Sequence, residues 1–357
     1  MYRPSQFTMT NQSTNLSGSG PKVAIISGDD DNRITNFASP TTVKGCSDLS
    51  SILIETGLDV RKLCVTPNYF RKGVRWNLQK FDLVINNVTD PDRNPKCLAV
   101  LRKLERDYGA SFLNSPRHIA QVGRDRVAAI AGSIPGIIAP KTLRLIKQDE
   151  AAIVRATNAT GFRWPGILRQ VGEHAGDSLQ IVRNAEETAA RRNPRERHYL
   201  TEFVNFRSHD GLYRKVRFFV IGGEILLRSM VTGKKWNLHG RDRSDILPGV
   251  DPAAEEKRVC DYFTEGRFPR IEGIILELAS KLKLDYFGVD CALLSNERIL
   301  LFEANPTMTF GGGDPKRPHM LTRRPLAIEM TFRMIARALK SRANLIHLER
   351  DVLSTAE

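Results

Sequence analysis

The stretch FGVDCALLSNERILLFEANP, from Phe287 to Pro306, decides how the rest of the chain is read. Two apolar runs, 287–294 and 298–304, flank the polar Ser295-Asn296-Glu297, which is a strand–turn–strand pattern. A turn centred on Asn296–Glu297 sets Asp290 directly opposite Glu303. Side chains alternate along a strand, so Asn305 returns to the face that carries Glu303. Like charges opposed across a sheet repel, and these sit among Val289, Leu293, Leu301 and Phe302. A bound cation resolves the conflict. Hard divalent ions take carboxylate and amide oxygens, and Mg²⁺ commonly combines one or two carboxylates with substrate phosphates. The plainer alternative is a solvated sheet face with ordinary acids.

A second hairpin precedes it. Tyr213–Ile221 and Glu224–Met230 flank Gly222-Gly223, a two-residue loop of the kind that closes hairpins. That loop sets Arg217 opposite Arg228, which is unfavourable unless an anion lies between them. A triphosphate, an acyl phosphate or a substrate carboxylate meets the need. The alternative is a pair of exposed arginines splayed apart.

Upstream, Lys22–Gly28 and Phe81–Asn87 read as buried strands, with a helical stretch at 46–57 between them that stops at Gly57. Alternation of this kind predicts a parallel α/β sheet with Rossmann-like winding. No G-x-G-x-x-G follows the first strand, so this is not a standard dinucleotide site. Ligands bind such sheets at the carboxyl ends of the strands, here Ser27–Asp31 and Asn86–Asp92. The triplet Asp29-Asp30-Asp31 suits a helix cap, or else holds an amine. Residues 116–205 read as an α+β piece: a helix over 116–130, then strands at 142–145, 166–171, 179–182 and 199–204, with a glycine-containing loop at 172–178. Helices at 254–264 and 270–282 lead back to the first hairpin, and an amphipathic helix over 325–345 closes the chain. The expected division is a disordered tail (1–20), a Rossmann-like domain (21–115), a small lobe (116–205), a larger lobe with the metal site (206–345) and a C-terminal tail (346–357).

At this point the hairpin is recognisable. D-x-A-L-L, a short turn, then apolar residues ending in E-A-N-P resembles the metal-binding hairpin of the ATP-grasp superfamily, which includes glutathione synthetase and the ligase that adds glutamate to a ribosomal protein. The resemblance covers roughly residues 116–310. It implies an ATP-grasp fold, α/β and α+β in class, behind an N-terminal Rossmann-like domain. It implies ATP and two Mg²⁺ ions as cofactors, with Asp290, Glu303 and Asn305 on the metals. It places Arg169 on the phosphates, where many members carry lysine, and Glu202, Phe203 and Val204 at an adenine hinge that acts through backbone. It sets Arg217 and Arg228 near the transferred phosphate, and brings the loop Gly311–Asp314 towards the acceptor. His239 reads as a packing or surface histidine.

Composition bounds the rest. The 357 residues are 41% hydrophobic, enough for two or three domains with sizeable cores. Five cysteines with no C-x-x-C argue against a zinc site or a disulfide framework and favour a reducing cytoplasm. The N-terminal stretch lacks the apolar region of a signal peptide, and no run approaches the ~18 apolar residues of a membrane span. A net charge of +14 attracts polyanions such as nucleotides, acidic peptides or nucleic acid. No nucleic-acid-binding motif accompanies it, so nucleic acid is the minor reading. The expected activity is activation of a carboxylate as an acyl phosphate, its joining to an amine, and release of ADP and phosphate. The acid is a small molecule, a peptide or a protein side chain, and an acidic substrate suits the charge. Assembly into a homo-oligomer is left open. The rival reading is a non-catalytic nucleotide-binding regulatory protein that keeps the fold.

Overall fold

The computed structural model describes residues 20–31, 43–71, 75–109, 112–146, 149–173, 176, 179–238, 249–311 and 317–354. The N-terminal tail, His239 and the span 312–316 lie outside them. The chain begins with β1 (Val23–Gly28), α1 (Leu49–Glu55), β2 (Val60–Val65), β3 (Leu83–Asn86) and α2 (Pro95–Tyr108). These strands form a parallel sheet in the order β2-β1-β3. β1 is apolar from Val23 to Ile26 and β3 from Leu83 to Ile85, as expected of parallel strands covered on both faces.

The acidic triplet caps a helix. Asp30 accepts hydrogen bonds from the backbone N–H groups of Lys96 (2.9 Å) and Cys97 (2.8 Å), in the first turn of α2. Those donors have no partner within the helix, and a negative charge there also suits the helix dipole. Asp30→Ala should therefore cost about 1–2 kcal/mol, read as a lowered urea midpoint with an unchanged slope.

Next come α3 (Pro116–Ile119), α4 (Arg124–Ala131) and β4 (Ile137–Ile138), where one continuous helix was expected over 116–130. Gly123, in extended backbone, separates the two helices. β4 lies within the stretch assigned to the small lobe, yet it pairs with the large sheet described below. The small sheet consists of β5 (Thr142–Ile146), β6 (Gly166–Gln170), β7 (Gln180–Val182) and β8 (Arg197–Glu202), antiparallel in the order β5-β8-β6-β7. Helices α5 (Glu150–Thr160) and α6 (Ala185–Arg191) cover one face. That face holds a core of its own, built from Leu145, Ile153, Phe162, Leu168, Val182 and Leu200.

The large sheet contains β9 (Tyr213–Ile221), β10 (Glu224–Gly233), β11 (Tyr286–Leu293) and β12 (Ile299–Asn305), in the order β10-β9-β11-β12-β4. On one side pack α7 (Pro252–Thr264) and α8 (Pro269–Leu282), through residues such as Cys260, Ile275 and Leu278. On the other, Phe219, Ile221 and Tyr286 meet Met330 and Met334 of the closing helix, while α9 (Pro318–Leu321) precedes that helix. The same cluster takes in Val23, Ile25, Leu49 and Ile52, so the N-terminal sheet and the large sheet share a continuous core. The closing helix, α10 (Arg323–Ser354), runs past the boundary expected at 345. No glycine or proline after Pro325 interrupts it.

Candidate functional site

Two cross-strand rows build the site. On the large sheet, Arg217 of β9 registers with Asp290 of β11, and Asp290 with Glu303 of β12. On the small sheet, Arg144 of β5 registers with Tyr199 of β8, and Tyr199 with Arg169 of β6. The rows meet where Arg169 Nη1 lies 4.0 Å from Glu303 Oε2. Between the sheets is a cleft of about 320 Å³, lined by Arg169, Glu202–Val204, Arg217, Asp290, Glu303 and Asn305 among others.

The expected opposition of Asp290 and Glu303 is present, but by a different route. The turn runs from Leu294 to Arg298, with the Leu294 N–H donating to the Arg298 carbonyl, so Cys291 faces Leu301. A bulge then inserts Phe302 as an extra residue and brings Glu303 level with Asp290. Bulges of this kind re-aim side chains beside functional sites.

Guanidinium groups pair with these acids. Arg217 binds Asp290 through both Nε (2.7 Å) and Nη2 (2.8 Å). Lys215 Nζ lies 3.7 Å from Asp290 and donates to the Leu238 carbonyl at 2.7 Å. Arg124, in the first turn of α4, pairs with Glu303. Burial works against the charge on Arg217, but the facing Asp290 outweighs it and holds the guanidinium above its ordinary value. Arg169 goes the other way. Burial, then the neighbouring Arg124, pushes it down to about 10, and its buried Nε has no hydrogen-bond partner among the described residues.

The facing pair expected on the second hairpin is not formed. Ile221 to Phe218 pair with Glu224 to Leu227 as the Gly-Gly loop requires, and then a bulge at Arg228 sets Arg217 against Ser229. Arg228 is buried outside the cleft lining, with Nε donating to the Phe310 carbonyl at 2.9 Å and the guanidinium 4.7 Å from the Phe310 ring. Burial, then Arg317, lowers it to about 10.

At the hinge, the Glu202 carboxylate accepts from the backbone N–H groups of Lys141 (3.2 Å) and Arg163 (2.8 Å). The Phe203 N–H donates to the Pro165 carbonyl at 2.9 Å. Val204 lines the same cleft, and its N–H has no hydrogen-bond partner among the described residues. Phe203 meets Trp236 edge-on, 5.5 Å between ring centres, which gives the hinge an aromatic wall.

Sequence reasoning missed Arg124 and Lys215. Both leave a signal. Lys215 stands two residues before Arg217 and so shares its face. Arg124 is a cation at a helix N-terminus, where the dipole disfavours it, so an outside carboxylate is called for.

The donor chemistry suits Mg²⁺: opposed carboxylates at Asp290 and Glu303, with the Asn305 amide donating to Glu303 at 3.2 Å. No cluster of three or more His, Cys, Asp or Glu forms among the described residues, so phosphate oxygens would have to complete any coordination. No described helix is long and apolar enough to cross a membrane.

No family model matches the chain, and no curated protein matches it. Solved structures do share its fold. The VanG D-Ala:D-Ser ligase from Enterococcus faecalis aligns at a TM-score of 0.52 with 15% identity, over 89% of this chain and 99% of that one. The D-alanine–D-alanine ligase from Coxiella burnetii aligns at 0.52 with 12% identity, over 94% and 99%. The chain has the ATP-grasp fold.

Proposed function

We propose that this chain is an ATP-dependent ligase: it phosphorylates a carboxylate to an acyl phosphate, an amine displaces the phosphate, and ADP is released. The observation that carries the reading is Arg169. A buried guanidinium beside Arg124, whose Nε has no hydrogen-bond partner among the described residues, is costly unless an anion completes it. It stands at the end of the carboxylate row, between two sheets, in a fold shared with enzymes named as ligases of D-alanine to D-alanine or D-serine.

In this reading the triphosphate lies between the two rows. Arg169, Arg217 and Lys215 face its oxygens, and Val204 N–H offers the base a donor. Asp290, Glu303 and Asn305 would hold Mg²⁺, which would supply charge neutralisation to the phosphates. Arginine at 169 keeps the charge of the more usual lysine and adds a fork of donors. The protein contributes placement and charge neutralisation rather than covalent chemistry. The basic surface favours an acidic acid substrate, a peptide included, in a cytoplasmic setting.

A second reading, a nucleotide-binding protein that keeps the fold and does no chemistry, has one feature in its favour: arginine at position 169 in place of the more usual lysine. Measuring ADP release with MgATP across a panel of amino acids and acidic peptides separates the two. The ligase reading expects release that depends on both an acid and an amine. Tight ATP binding with no acid-dependent release supports the regulatory reading.

A further inference from the structure

The small sheet has its own core, whereas the other two sheets share theirs. Its position over the cleft therefore depends on the contacts made by its open face, and many of those converge on one residue of the N-terminal domain. Asp92 lies between β3 and α2. Its Oδ1 accepts from Arg144 Nη1 at 2.5 Å, and its Oδ2 accepts from the Tyr199 hydroxyl. Its carbonyl accepts from Arg197 Nη2 at 3.0 Å. Asp125 of α4 braces the same guanidinium from the other side, at 2.9 and 3.1 Å, and the guanidinium lies 4.7 Å from the centre of the Tyr199 ring. Asp92 is itself held, its N–H donating to Asp90 Oδ1 at 2.9 Å.

The junction is close-packed. A methyl group at Gly123 would lie 2.7 Å from Arg144 Nη2 and 3.3 Å from the Tyr199 hydroxyl. It is also continuous with the site, because Arg144, Tyr199 and Arg169 are register partners on adjacent strands, and Arg169 ends that row beside Glu303.

We propose that Asp92 is a positioning residue: by gripping Arg144 and Tyr199, it holds the small sheet closed on the cleft and fixes Arg169 where the nucleotide phosphates bind. This rests on the nucleotide reading of the cleft, but the latch itself does not. A lobe with a separate core, once released, spends part of its time open. Affinity for a ligand that needs the closed form falls by the closed fraction. Hydrogen bonds to charged groups are strong enough for the loss to reach about tenfold or more.

Two readouts test it in the full chain. The first is the distance between dyes on Asn158→Cys (α5) and Lys62→Cys (β2), both exposed positions, with the half-exposed Cys64 replaced by serine. The second is MgATP binding by calorimetry. Asp92→Ala should lengthen the dye distance and weaken MgATP about tenfold or more, raising the KM for ATP while kcat at saturating nucleotide is retained. Tyr199→Phe, which removes a single hydroxyl and spares the fold, should shift both readouts in the same direction by less. A role confined to stability would lower the melting temperature and leave the distance unchanged. An unchanged distance in both variants overturns the latch. If the parent protein binds no MgATP, the nucleotide reading fails, and the distance comparison still decides the latch.

Discussion

Glu303→Gln is expected to abolish ADP formation under saturating ATP and Mg²⁺ while leaving the fold intact. The substitution keeps the shape of the side chain and removes one of the two opposed carboxylates, the one on which both rows converge. Loss of a single group that stabilises developing charge typically costs ~10²–10³ in kcat, and loss of a metal ligand adds to that. The same change leaves Arg124 and Arg169 facing without their shared carboxylate. An anion then becomes more welcome between them. Metal-free ATP, measured in EDTA, should accordingly bind the variant at least as well as the parent. Turnover lost with ATP binding retained is the signature of the metal role. Unchanged turnover removes Glu303 from the metal site.

Arg217→Met carries the second large effect, and its sign on stability differs from what the sequence suggests. Facing arginines would make neutralisation of one a relief. Instead Arg217 is bound through two nitrogens to Asp290, so its removal leaves a buried carboxylate with Lys215 at 3.7 Å as its cationic neighbour. Stability should fall by about 1–3 kcal/mol, and kcat by ~10²–10³ as a donor to the transferred phosphate is lost. Arg217→Lys should recover part of the activity, since it restores the charge but not the two-nitrogen grip. Loss of stability with full turnover would make Arg217 a structural partner of Asp290 and nothing more.

The contrast between the two hairpins shows what was legible in the sequence. Both were found from their turn residues and apolar runs, and both carry a bulge that alternation cannot reveal. In β12 the bulge at Phe302 and a turn shifted to Asn296 cancel, and Asp290 faces Glu303 as the letters suggest. In β10 nothing cancels the bulge at Arg228, so the arginine pair dissolves. A single extra residue shifts the pairing beyond it, and no local signal separates a regular hairpin from a bulged one.

Asp290 and Glu303 face each other as the sequence suggested, because strand order and the E-A-N-P ending reinforce each other. Arg124 was not foreseen, because it arrives from a different part of the chain and meets Glu303 only in three dimensions. In the N-terminal domain, β2 escaped notice because its outer residues, Arg61 and Lys62, are exposed at a sheet edge and break the apolar run. The small sheet's separate core was equally invisible, since Leu145, Leu168 and Leu200 look like any other buried leucines until their neighbours are known.

The most direct test of the central claim follows one oxygen atom. With an acid substrate identified by ADP release, both carboxylate oxygens are labelled with ¹⁸O and the products are analysed by mass spectrometry. In the proposed arrangement, Mg²⁺ held by Asp290, Glu303 and Asn305 would, with Arg169 and Arg217, supply charge stabilisation at the γ group rather than at the α-phosphate. The account therefore predicts ADP as the nucleotide product and one ¹⁸O atom in the released phosphate, carried there by the carboxylate that attacked the γ-phosphorus. AMP bearing the label, with unlabelled pyrophosphate, would contradict it.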